Sequence, residues 1–358
     1  MKAKAENGPA KRAKAGSGMA KLAKAENGPA KRAKAGSGPA KRAKAGSGLA
    51  YVVAFAYNAK AKERLPAWTG KARACKLGFF IGAKAGQRLA VNLVLIVFLA
   101  LIAVGMIHGL RAIIVDSKIR YTDVPFASAA VPESLDGYTI AFVTDVHDIS
   151  GKKLEQAVEE INRRKPDLLL LGGDFSTRKG SMKRDLEILS EVNAADGIYG
   201  VGGTHDNKIV FFPAMRQCSM HPLSNSGVRI KEGFYLAGVD DPRRYSPDIE
   251  KALEGAAEGD FVLLLSHEPD NTMTQGTASV DLVLSGHTHG GHVTLFGKWA
   301  PALTLIKDIT KYGQRFMSGW ASSRDGTPVY VSNGTGSYTS VPRSFAQPEV
   351  VFLRLEAR

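Results

Sequence analysis

The chain has 358 residues, with 48 Lys+Arg against 34 Asp+Glu and a formal net charge of +14. The excess is confined to one end: residues 1–112 hold 22 basic and 3 acidic side chains, leaving 26 and 31 for the rest, so the two parts carry +19 and −5. A basic nucleic-acid surface is thereby excluded from the larger part, and two distant cysteines, Cys75 and Cys218, exclude a disulfide framework or a CxxC metal site.

From Ala3 the sequence runs through ten-residue repeats, AKAENGPAKR, AKAGSGMAKL, AKAENGPAKR, AKAGSGPAKR and AKAGSGLAYV. Little in them is larger than alanine and apolar, so residues 1–88 are expected to form a largely disordered basic tail. No aromatic residue precedes Tyr51, so bases would find no stacking platform and nucleic acid is not the expected partner.

Between Arg88 and Arg111 lies LAVNLVLIVFLALIAVGMIHGL, residues 89–110, without a single Asp, Glu, Lys or Arg. At about 1.5 Å per residue this run crosses a hydrocarbon core of about 30 Å, and it is read as an uncleaved transmembrane helix. Lys71, Arg73, Lys76, Lys84 and Arg88 precede it, against Arg111, Lys118 and Arg120 after it. This asymmetry predicts a single-pass protein of the cell membrane, with its N-terminus cytoplasmic and the larger part extracytoplasmic. Residues 111–136, punctuated by Pro125 and Pro132, are read as a linker.

From 137 to 358 the pattern is that of one folded α/β domain. Strands are predicted at TIAFVT (139–144), LLLL (168–171), IYGV (198–201), FYLAGV (234–239), FVLLL (261–265), LVL (282–284), VYV (329–331) and VVFLRL (350–355). A helix is predicted at KKLEQAVEEINRR, with Leu154, Ala157, Val158 and Ile161 on one face. The early strand–helix alternation indicates a sheet with parallel pairs, and the strand-rich later half a second sheet.

The chemistry sits at the strand ends. TIAFVT runs into Asp145 and His147, LLLL into Gly172-Gly173-Asp174, IYGV into Gly202-Gly203-Thr204-His205-Asp206, FVLLL into Ser266-His267, and LVL into Gly286-His287-Thr288-His289. Each motif alone is more often a turn. Together they account for five of the eight histidines, with His292 three residues beyond, and strand C-termini in an α/β sheet converge on one crevice. Carboxylates and imidazoles without thiolates suit Mn, Fe or Zn. Six or seven donors exceed the needs of one tetrahedral ion, so two divalent ions sharing a carboxylate are expected, a pairing suited to phosphate ester hydrolysis.

In order and spacing, DVH, GGD, GTHD, SH and GHTHGGH resemble the calcineurin-like metallophosphoesterase superfamily. LAGVDD and VSNGTG…VPRSF…PEVVFLRL are similar to its bacterial membrane-anchored branch. The resemblance implies a sandwich of two mixed β-sheets flanked by helices, with two metals at one edge. Asp145, His147, Asp174 and His289 would hold the first, and Asp174 would bridge to a second held by His267, His287 and the residue at position 204. A metal-bridging hydroxide would attack phosphorus, His205 would stabilise the transition state or protonate the leaving oxygen, and Asp206 would orient and charge that imidazole.

Two positions depart from the family pattern: Thr204 stands where Asn is usual, and His292 where the membrane-anchored branch has Gln. A hydroxyl is a poorer donor than an amide oxygen, which leaves open a degenerate member that binds or scaffolds with an impaired second site. Otherwise the expected activity is that of a membrane-anchored, dinuclear-metal phosphoesterase acting on a mono- or diester. The anchor puts lipid-linked phosphates high among its substrates.

Overall fold

The computed structural model describes residues 85–358 apart from 148 and 176–179. The expectation of a disordered basic tail therefore falls almost wholly outside the described residues. Helix α1, Ala85–Ile114, is longer at both ends than the apolar run that predicted it, and is long and apolar enough to cross a membrane.

Alternation along the strands sorts every side chain into one of three layers. β2 (Thr139–Val143), β3 (Leu168–Leu171) and β4 (Ile198–Gly200) pair in parallel. Ile140, Phe142, Leu168 and Leu170 face inward, and Ala141, Val143, Leu169 and Leu171 face outward. Parallel strands covered on both faces read as unbroken apolar runs, which is why LLLL is a strand. The outward set is covered by α2 (Gly151–Arg164), α3 (Met182–Leu189) and α4 (Lys208–Gln217). Helix α2 buries the predicted Leu154, Ala157, Val158 and Ile161, starts on a Ser150 cap and ends at Lys165 in the left-handed region.

β5 (His221–Pro222) closes one edge of this sheet. The second sheet comprises β6 (Ser226–Lys231), β7 (Phe234–Gly238), β8 (Phe261–Leu265), β9 (Leu282–Ser285), β10 (Gly319–Ser322) and β11 (Pro328–Val331), in the order β10-β11-β9-β8-β7-β6. Short helices α5 (Ile249–Ala252), α6 (Asn271–Thr274) and α7 (Pro301–Leu305) lie in its connections. Phe234, Leu236, Phe261, Leu263, Leu265, Leu282 and Leu284 meet the inner face of the first sheet in one core. Removing a fully buried branch there, as in Leu170→Ala, is expected to cost about 3 kcal/mol by denaturant titration.

Two features correct the sequence reading. The segment 111–136, expected as a linker, contains strand β1 (Arg120–Ser128), paired in parallel with β12 (Glu349–Ala357) from Arg120↔Glu349 to Ser128↔Ala357. Val124 and Phe126 enter the core, and Pro125 is tolerated because β1 is an edge strand. The C-terminal β12 does not join the late, strand-rich sheet. It inserts between β1 and β2, giving the order β1-β12-β2-β3-β4-β5. Both sheets are mixed, as the resemblance implies.

Candidate metal centre

The chain turns abruptly where the strands end. Among the described residues, eleven non-glycine positions have positive φ, and six of them are Asp145, His147, Asp174, His287, His289 and His292. Such conformations cost about 1–3 kcal/mol each and persist where the surroundings over-determine them; here they fold side chains back over the sheet edge. Two glycines make room: a Cβ at Gly203 would run into the Asp174 carboxylate, and one at Gly286 into that of Asp145.

Two clusters result, Asp145 with His147 and His289, and Asp174 with His267 and His287. Within each, the potential ligand atoms lie within 4.8 Å of one another. Asp174 joins them, since its Oδ2 is 3.5 Å from His147 Nε2 and 3.3 Å from His267 Nε2. In the first cluster, His147 Nε2 and His289 Nε2 face each other at 3.2 Å, with Asp145 Oδ1 3.9 and 3.4 Å away.

The donor set fits divalent ions on the evidence of its hydrogen bonds. His267 Nδ1 donates to Gly172 O (2.8 Å), which leaves Nε2, buried and without a hydrogen bond, turned toward Asp174. His287 Nε2 donates to Ile309 O (2.8 Å), leaving Nδ1 with a free lone pair. Fixing one ring nitrogen so that the other can ligate is the usual support for metal-binding imidazoles. The arrangement at His289 differs: Arg343 Nη2 donates to its Nδ1 (2.8 Å).

Burial pushes His147 down to about 4 and His287 to about 3, keeping both imidazoles neutral and ligand-ready. Burial also drives His289 well below its ordinary value, assisted by Arg343. It raises Asp145 to about 6 against the opposing pull of His267. At Asp174 burial is outweighed by His267 and His147, which hold the carboxyl far below its usual range. At His267 burial is outweighed by Asp174, Asp145 and Asp241, so this ring takes a proton when nothing else balances the carboxylates. Saturating Mn²⁺ or Zn²⁺ is expected to raise the thermal midpoint and EDTA to lower it. About 2.7 kcal/mol of stabilisation accrues at a hundredfold excess over Kd, and differential scanning calorimetry checks the direction.

The GTHD loop lies against both Asp174 and Asp241. The His205 N–H donates to Asp174 Oδ1 (2.8 Å), and its ring stacks on Tyr338 with centroids 4.1 Å apart. The described contacts of the Asp206 carboxylate are with the N–H groups of Asp174 (2.7 Å), Phe175 and Gly203 (3.0 Å). Through these backbone donors it ties two site loops together. The Thr204 hydroxyl donates to Asp241 Oδ2 (3.1 Å). His292 stands behind His289, ring centroids 6.4 Å apart, and bonds to Val341 O (2.6 Å).

Three residues at the site were not singled out in the sequence. Asp241 is 2% exposed, and its carboxyl is raised by burial against the pull of His267. The available signal was LAGVDD, one more carboxylate just past a parallel strand. Tyr338 and Arg343 come from the 335–345 connection, where VPRSF marked the resemblance but singled out neither side chain. Arg343 is buried, lowered by burial to about 10, and donates to the carbonyls of Asn333 and Gly336.

A two-sheet α/β sandwich with paired carboxylate–imidazole clusters at its strand ends is the architecture of the metal-dependent phosphoesterases. Residues 138–291 match the family model described as calcineurin-like phosphoesterase. An uncharacterized metallophosphoesterase of Helicobacter pylori is 30% identical over 230 residues, 60% of this chain and 59% of that protein. A transmembrane protein with metallophosphoesterase domain from Danio rerio is 28% identical over 281 residues, 72% of this chain and 62% of that one. The Bacillus subtilis metallophosphoesterase YkuE is 26% identical over 264 residues, 70% of this chain and 90% of its own length. The chain thus spans about three fifths of the first two relatives.

Proposed function

We propose that the protein is a membrane-anchored phosphoesterase that uses two divalent ions, Mn, Fe or Zn, to hydrolyse a phosphate mono- or diester carried on a lipid. The observation that carries the reading is Asp174 standing within 3.5 Å of a ligand nitrogen in each cluster. Asp145, His147 and His289 would hold one ion, His267 and His287 the other, with Asp174 shared and Thr204 beside the second. When bound, the ions supply Lewis-acid chemistry at the phosphoryl group.

The protein's own groups orient and exclude. His205, held flat by Tyr338 and by its N–H bond to Asp174, presents an imidazole at the mouth as the proton donor to the leaving oxygen. Asp206 keeps that loop in register with Asp174. A cleft of about 740 Å³ lined by Tyr338, Arg343 and Val341 is also lined by Asp116, Ser117 and Ile119, just beyond α1. A substrate embedded in the bilayer would find that entrance at the membrane side, which favours a lipid-linked ester.

The test is hydrolysis of p-nitrophenyl phosphate and bis(p-nitrophenyl) phosphate by the purified full chain, with metal content measured in parallel. Turnover that rises with Mn²⁺ or Zn²⁺ toward two ions per chain is expected; an ion-replete chain without turnover on either ester would sink the proposal. The basic flank before α1 supports a cytoplasmic N-terminus and an extracytoplasmic catalytic domain. Protease added to intact cells should then digest the domain, and protection until lysis would reverse the orientation.

A further inference from the structure

Around the metal centre, one segment exposes apolar side chains that a water-facing surface does not need. Leu295, Phe296, Trp299, Leu305 and Ile306 lie within twelve residues of chain and are all exposed, Leu305 at 77%. Buried Ala300 and Leu303 fix the same stretch to the domain, so the exposure is not that of a loose loop. Lys298 lies among these residues and Lys307 and Lys311 follow them, all three exposed, against one acid, Asp308. Trp, Phe and Leu beside lysines are the composition of surfaces that lie in the interfacial zone of anionic membranes.

Continuity with α1 identifies the occupant. The His108 ring of α1 lies 5.3 Å from Phe296 and 5.0 Å from Phe345, and His108 Nδ1 bonds to Ser344 Oγ at 2.7 Å. Arg111 covers Phe345 at 4.4 Å and pairs with Asp116, which accepts the Phe345 N–H. Phe296 and Phe345 both adopt positive φ at this junction, with φ of 52° and 56°. Counting from Gly86, about twenty-two residues span about 33 Å, which brings His108 to the edge of the hydrocarbon core and Phe296 to the same depth.

We infer that residues 295–306 form a docking surface for the headgroup layer of the anionic bilayer crossed by α1, setting the metal centre against the membrane. Its apolar side chains enter the interface while Lys298, Lys307 and Lys311 meet lipid phosphates. Arg343, in the connection that also carries Ser344 and Phe345, donates to His289 Nδ1 and so ties the centre to the junction with α1. The inference rests on α1 being a membrane span, and the experiment separates the two.

The full chain with Trp68→Phe and Trp320→Phe keeps Trp299 as its single indole. It is reconstituted in phosphatidylcholine vesicles containing one fifth phosphatidylglycerol, with acyl chains brominated near the headgroups. Floating vesicles should carry the chain, and bromination should at least halve Trp299 emission; adding Leu305→Asp and Ile306→Asp should restore most of it while the chain still floats. A floating chain whose Trp299 emission ignores bromination overturns the docking surface alone. A chain that does not float overturns the span and the docking with it. A nitroxide at Leu305→Cys, in a Cys75→Ser and Cys218→Ser background, gives an independent reading: relaxation by oxygen supports docking, and relaxation by aqueous nickel overturns it.

Discussion

Asp174→Asn should abolish turnover, lowering kcat/KM on an aryl phosphate by about a thousandfold or more, equivalent to about 4 kcal/mol of transition-state stabilisation. The expectation follows from position. Asp174 Oδ2 is 3.5 Å from His147 Nε2 and 3.3 Å from His267 Nε2, while Oδ1 accepts the His205 N–H. One carboxylate thus serves both clusters and the loop that presents His205. An amide keeps the shape but supplies only one lone-pair oxygen and no charge, so on the proposed reading both ions would lose a ligand. Metal analysis should find fewer than two ions per chain, while circular dichroism stays that of the parent. A variant retaining two ions and a tenth of parent activity would remove the bridging role.

Thr204→Asn carries the second large effect, because it decides between the enzyme and the degenerate reading. In the parent, the Thr204 hydroxyl is spent as a donor to Asp241 Oδ2 at 3.1 Å, and Asp241 is a buried carboxylate close enough to bias His267. On the proposed reading, the negative charge of Asp241 would offset a weak neutral donor at 204. We therefore expect the parent to turn over and Thr204→Asn to tighten the second ion by about tenfold, within the range for changes beside a metal. Asp241→Asn should weaken it by a similar factor. Isothermal titration with Mn²⁺ measures both. A parent near zero activity that gains a hundredfold from Thr204→Asn would instead mark the chain as degenerate.

Much of this molecule was legible in its sequence for reasons that are local. The apolar runs of β2, β3, β7, β8 and β9 could be buried only as strands, and the spacing of Leu154, Ala157, Val158 and Ile161 could fit only a helix face. The five strand-end motifs signalled one rim because parallel strands carry their C-terminal ends to the same side. β1 was hidden because Pro125 and Pro132 punctuate its segment, and a single alternating edge strand gains its stability from a partner 229 residues away, as in Arg120↔Glu349.

The sequence by itself determined the ligand types, their order, the apolar span and the two-sheet class, since these depend on composition and periodicity along the chain. Only the tertiary structure decided that Asp206 braces backbone amides, that Asp241 stands behind Thr204, and that Phe296 meets His108. Each of these is a contact between segments far apart in the chain, and its geometry is set by how the sheets pack and how the left-handed turns aim the side chains.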